Sequence, residues 1–275
     1  MIKRILMGVG GTPFTSVAIE RAVELAERHD AILKAVTVVD PNQLCKLGPV
    51  PAGASIYAKN MCKNRLEVTY RQTEELIAAL ENRCAQSNVR LKIERETGDP
   101  FALMIANARY HDLTIFGLRS IFEYQLVNEP KKDLFRLLSK GVRPIIAVSN
   151  KFRKINKVMI AYNGSTESAN AMRDFARLKL WPNVSLDIVH INVENKVKQG
   201  LLEEAAAYCV DLGYKVNTHW RPGKASEHLL PAARQIDADM IVMGSSVRNM
   251  LMRRVLGDTV LNTLTNSNLP LFLSQ

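Results

Sequence analysis

The feature that most constrains this chain is an internal repeat. Lys157–Ser165 (KVMIAYNGS) aligns without a gap on Arg4–Thr12 (RILMGVGGT), and Asp239–Gly244 (DMIVMG) aligns on Asp112–Gly117 (DLTIFG). Gly223-Lys-Ala225 matches Gly98-Asp-Pro100, and Leu269–Leu273 (LPLFL) matches Arg143–Ala147 (RPIIA). Four matches in one order define a tandem duplication, with its seam in the basic, non-periodic stretch Asn150–Asn156. The expected domains are residues 1–149 and 155–275.

Each half reads as alternating strands and helices. Arg4–Val9 is apolar on both faces, as a strand buried in a parallel sheet should be, and Gly10-Gly11-Thr12-Pro13 stops it. Val17, Ala18, Ala22, Leu25 and Ala26 then recur at helical spacing, with Thr15 or Ser16 available as a cap. Ala31–Val39 returns to strand, and a strand reached through a crossover helix lies parallel to the first. Asp40–Tyr57, with three prolines and two glycines, is expected to be largely irregular, and a lid and a surface excursion both remain open. A long helix follows over about 59–87, with Leu66, Tyr70, Leu76, Ile77 and Leu80 inward. Val89–Arg95 alternates apolar and basic residues like an edge strand; Leu113–Phe116 and Val142–Val148 complete the half. The fold class is therefore α/β: two tandem, doubly wound, five-stranded parallel-sheet domains.

Composition narrows function mostly by exclusion. Of the 275 residues 47% are hydrophobic, enough to fill two cores, and no apolar run is long enough to span a membrane. Met1–Arg4 leads straight into a strand rather than a signal core, so a soluble cytosolic protein is expected. The net charge of +10 is spread evenly over the halves, and aromatics are only 6%, so neither a basic tail nor a stacking platform for nucleic acid is visible. Cys45, Cys62, Cys84 and Cys209 contain no CxxC pair and are read as reduced thiols. The five histidines form no metal-ligand spacing, and neither a GxSxG elbow nor a Walker sequence is present.

The richest stretch is Asp239–Val260. A buried strand ends at Gly244, a basic loop follows, and Gly257 precedes a helix that opens with Asp258, Thr259 and Val260. Strand, glycine turn and helix start leave backbone N–H groups at the mouth of a sheet, which suits an anion. The same glycines equally suit tight turns and close helix packing.

Together these residues resemble the universal stress proteins in their two-domain form: the Gly-Ser/Thr turns Gly11-Thr12 and Gly164-Ser165, the segments 96–117 and 221–244, and the closing strands. The resemblance implies an adenine-nucleotide-hydrolase-like fold with the halves packed as a pseudo-dimer. It also implies a glycine motif after the fourth strand, namely Gly, two residues, Gly, nine residues, Gly, Ser/Thr. Gly244, Val247, Gly257 and Asp258 keep that spacing, with Val in place of the middle glycine and Asp in place of the hydroxyl residue. Val at a position of positive φ would be strained, and Asp258 faces phosphate with like charge unless Mg2+ bridges them or Arg248, Arg253 and Arg254 offset it. A helix-capping role is the simpler account of Asp258.

In the first half Ser120, Pro130 and Lys131 occupy the later motif positions and Gly10 replaces the Asp expected after strand one; Asn163 stands there in the second half. Nucleotide binding is therefore expected only in the second half. The cofactor implied is ATP or another adenine nucleotide, with Mg2+, held by Tyr162, Asn163, Gly164, the backbone near Val193, Gly244, Ser245, Arg248, Gly257, Asp258 and Thr259. With no base or nucleophile placed, the expectation is a non-enzymatic stress regulator, with weak ATP hydrolysis at most. The alternative is a nucleotide-free protein interaction module. Protein partners or a homodimer stay open.

Overall fold

The structure, a computed structural model, describes residues 2–46, 55–117, 137, 144–193, 200–245, 247–250 and 253–275. In the first half the order is β1 (Arg4–Val9), α1 (Phe14–His29), β2 (Ile32–Val39), α2 (Pro41–Leu44), α3 (Ser55–Gln86), β3 (Leu91–Thr97), α4 (Pro100–Ala108), β4 (Leu113–Gly117) and β5 (Ile145–Val148). In the second half it is β6 (Lys157–Ala161), α5 (Thr166–Leu178), β7 (Ser185–Asn192), α6 (Leu201–Asp211), β8 (Lys215–Pro222), α7 (Ala225–Gln235), β9 (Met240–Gly244), β10 (Val247–Met250), β11 (Arg253–Leu256), α8 (Asp258–Asn266) and β12 (Leu271–Ser274).

The halves are joined in one ten-stranded sheet, ordered β3-β2-β1-β4-β5-β12-β9-β6-β7-β8. Every neighbouring pair is parallel except β5 and β12, which run antiparallel with Phe272 opposite Ile146. That single reversal is what a local two-fold between duplicated units produces. The fully buried strands β4, β5 and β12 lie at or beside this joint, while β3 and β8 form the edges, where every position is exposed or only partly buried. Helices cover both faces. One core cluster draws on α1, α3, α5 and α6, the other on α4, α7 and α8.

The duplication reaches individual hydrogen bonds. Asp112 Oδ2 accepts from the N–H groups of Lys3 and Arg4 at 2.8 and 2.9 Å. Its counterpart Asp239 Oδ2 accepts from Asn156 and Lys157 at 2.9 and 3.0 Å. Each carboxylate thus ties the start of one central strand to the start of the next. Likewise α1 and α5 end on left-handed residues at matching places, Asp30 (φ 49) and Lys179 (φ 47).

Several local expectations are corrected. Neither Thr15 nor Ser16 caps α1: Pro13 stands at the N-cap, and both hydroxyls donate backwards, to Gly10 O and Pro13 O. The inner stripe of α3 is Thr73, Ile77, Leu80 and Cys84, whereas Tyr70 is 48% exposed. Strand β3 starts two residues later than its alternation suggested. The cysteines are not all thiols. Cys45 and Cys62 form a disulfide that ties the end of α2 to α3. Cys84 and Cys209 are free and buried, and burial pushes both thiols up to about 11. Within Asp40–Tyr57, Pro41–Leu44 is helical and α3 has begun by Ser55; residues 47–54 lie outside the described residues.

Candidate functional site

A cleft of about 700 Å³ opens at the carboxyl ends of β6, β7 and β9, beside the N-termini of α5, α7 and α8. Parallel strands place their crossover loops at this edge, and each following helix aims its N-terminal N–H groups at the same point. Ser165 caps α5 by accepting from Ser168 N at 3.3 Å. The starts of α7 and α8 carry no side-chain cap. Their first N–H groups therefore add to the positive potential at the cleft.

Seven of the ten residues expected at the site line this cleft: Tyr162, Asn163, Val193, Gly244, Gly257, Asp258 and Thr259. Asn163 is committed to the turn, because its Oδ1 accepts from Ser165 N at 3.0 Å. The acceptor that replaces the family's Asp is thus already in use. Gly164 adopts φ 77, which lets the chain turn out of β6. Tyr162 is half-buried; burial first, then the Glu204 carboxylate, holds its phenol above the usual range, so it meets a ligand as a neutral group.

Ser245 is not in the lining. It is 2% exposed, its N–H donates to Ser274 O at 2.8 Å and its hydroxyl to the same oxygen at 3.3 Å. These bonds join the end of β9 to the end of β12 in the middle of the sheet. Arg248 lies on β10, opposite Val255 of β11. The basic segment between the motif glycines, expected as an irregular loop, is thus an antiparallel hairpin. Val247 is the first strand residue of that hairpin, paired with Leu256 in extended backbone, and the anticipated positive-φ strain does not arise. Gly257, not Asp258, is the N-cap of α8; Asp258 occupies the first turn, where its charge complements the helix dipole without a capping bond.

Gly244 is fixed by packing. A Cβ there would lie 2.4 Å from Glu167 C and 2.7 Å from Ser168 N, both backbone atoms. The lining also holds Glu167, Ser168, Asn192, Lys224 and Ser226, which the glycine motif did not single out. Lys224 was visible in the Gly223-Lys-Ala225 repeat match, but only the fold carries it to the cleft. Glu167 and Asp258 oppose Lys224, so the described lining is not strongly cationic.

None of the five histidines joins the site through a metal cluster. Among the described residues no group of three or more His, Cys, Asp or Glu side chains could hold a metal ion. His190 Nδ1 instead bonds Tyr162 O at 2.9 Å, and His219 Nε2 lies 2.6 Å from the buried Asp187 Oδ1.

A tandem α/β chain with one broad polar cleft at the carboxyl edge of its second half is the class that fold and site define. The profile of the universal stress protein family matches residues 1–121 and 154–274. The chain belongs to the universal stress protein family, in tandem form. It is 20% identical to a universal stress protein of Synechocystis sp., with 98% of each chain covered. In structure it is similar to a universal stress protein from Archaeoglobus fulgidus at a TM-score of 0.74, 18% identity, and 99% and 96% coverage. A shorter member solved in complex with cAMP is 20% identical and covers 45% of this chain and 98% of its own, at a TM-score of 0.40. Among the described residues no helix is long and apolar enough to cross a membrane.

Proposed function

We propose that the protein is a non-enzymatic regulator of stress adaptation that binds an adenine nucleotide in its second half. The carrying observation is the cleft itself: residues from the first strand's turn, the glycine motif and the start of α8 converge on one volume of about 700 Å³, of the size that small-molecule sites require. In this reading adenosine packs on Ala161, Val189 and Ile191 and phosphate lies toward Lys224, Gly257 and Thr259, all residues of the cleft lining. Asp258 sets the condition. A phosphate beside it needs a countercharge, from Mg2+ taking one carboxylate plus phosphate oxygens or from the basic hairpin. The cleft's described residues offer no paired acid and base for in-line attack, which favours holding the nucleotide over hydrolysing it.

Thermal unfolding against AMP, cAMP, ADP and ATP, with and without Mg2+, tests this reading. A ligand at one hundred times its Kd adds about 2.7 kcal/mol, and Gly257→Val is expected to abolish the shift. No saturable shift with any of them, and no nucleotide released on denaturing fresh protein, overturns it. The departures at Val247 and Asp258 favour one other reading, a nucleotide-free interaction module. A Val247→Gly, Asp258→Ser double variant that gains binding where the parent has none selects that alternative.

A further inference from the structure

The first half carries a second cleft in the corresponding place, with different chemistry. It encloses about 270 Å³ and is lined by Val36, Val38, Val39, Phe101, Met104 and Phe116 over a floor that includes Gly8 and Gly10. Strand register aligns the two clefts position by position. Where the second half has Asn163, Asn192 and Ser226, the first has Gly10, Val39 and Phe101. Where the second has Lys224, the first has Asp99, whose carboxylate is spent capping α4 by accepting from Phe101 N at 2.9 Å and Ala102 N at 3.3 Å. The described lining holds no cation, and its one carboxylate, Asp40, accepts from Gln43 N at 3.1 Å. Within the described lining an anion entering here would find only the N-terminal N–H groups of α1 to offset its desolvation, since those of α4 are taken by Asp99.

Two of the lining hydroxyls are left as acceptors. Thr69 Oγ1 donates to Arg65 O at 2.8 Å and Thr15 Oγ1 donates to Gly10 O, so each hydroxyl keeps only lone pairs for a ligand. From this apolar lining, its size and its two acceptor hydroxyls, we infer that the first-half cleft is a site for a small, uncharged, largely apolar molecule with one hydrogen-bond donor. An apolar cavity of about 150 Å³ takes benzene, so about 270 Å³ suits a bicyclic ring. This inference stands whether or not the second half binds a nucleotide.

2-Naphthol is a suitable probe, uncharged at neutral pH and bearing one O–H donor; 2-naphthoate has the same body with a charge. Titration of the full chain by isothermal calorimetry is expected to show one saturable 2-naphthol site, with 2-naphthoate at least tenfold weaker and with AMP causing no displacement. A Cβ at Gly10 meets nothing within 4 Å, so Gly10→Phe fills the cleft and is expected to weaken 2-naphthol at least tenfold. Met104→Trp does the same from α4, with circular dichroism confirming that each variant folds. Absence of saturable binding, equal binding of 2-naphthoate, or full binding in a folded filled variant overturns the inference. Should neither variant fold, the comparison of the two probes on the unchanged protein decides it.

Discussion

Gly244 and Gly257 look alike in the sequence, as two glycines of one spacing, yet they do different work. At Gly244 the space for a side chain is taken by the Glu167–Ser168 backbone of α5. Gly257 has φ −59, a value any residue adopts, and serves as the N-cap of α8. Gly244→Ala is therefore expected to force β9 and α5 apart and cost about 1–3 kcal/mol, the range for overpacking a close-packed interior. Gly257→Ala is expected to cost less. Urea unfolding midpoints of the two variants check this; equal costs would show that the close contact at Gly244 relaxes freely. The sequence revealed both glycines but not the difference, because the clash involves a helix from a distant part of the chain. For the same reason the sequence did not show that Ser245 is buried and bonded to Ser274 O between β9 and β12. Lys224 stands in a repeat match and Ser226 beside it, but that segment signals only a helix start and not its place at the cleft.

Most elements were legible because periodicity reports burial, and burial is what a parallel sheet imposes on its strands. The misses fall where burial does not speak. The β10–β11 hairpin has a basic, non-alternating sequence, and Tyr70 sits at the helical spacing of an inner stripe on a part of α3 that extends past the core. The Cys45–Cys62 disulfide joins residues 17 apart in sequence, with no spacing signature to announce it. It is the covalent tie between α2 and α3, two of the helices that line the first-half cleft. For a loop of this length the chain-entropy account gives about 3 kcal/mol. Cys62→Ser is expected to lower unfolding stability by about 2–3 kcal/mol under non-reducing conditions. Dithiothreitol should lower the parent by a similar amount and leave the variant unchanged. A variant as stable as the parent, or one still sensitive to dithiothreitol, contradicts the assignment.

At the scale of the molecule, the repeat predicted two like halves but not the side-chain cluster that locks them, since Arg21, Glu24, Phe152 and Trp181 lie outside the matched segments. Arg21, on α1 of the first half, is 1% exposed. It bonds Glu24, and its Nη2 donates to Arg153 O at 2.6 Å. The guanidinium stacks over Phe152 at 4.6 Å and over Trp181 of the second half at 5.1 Å, while Trp181 Nε1 donates to Glu24 Oε1 at 2.9 Å. Burial lowers the Arg21 pKa, an effect Glu24 opposes, and Arg21 Nε is left without a partner. This is a buried cation held by aromatic faces and one carboxylate, the kind of assembly that is costly to break from one side. Together with the β5–β12 pairing it makes the halves one cooperative unit. Both tryptophans, Trp181 and Trp220, lie in the second half, so their fluorescence reports that half and, through Trp181, its joint with Arg21 and Glu24, whereas far-ultraviolet circular dichroism reports both halves throughout. The two signals should trace one transition in the parent protein. Arg21→Ala, a change in the first half, is expected to move both midpoints together by about 3 kcal/mol. If tryptophan fluorescence keeps its midpoint while the dichroism splits into two steps, the halves unfold independently and the lock at Arg21 couples nothing.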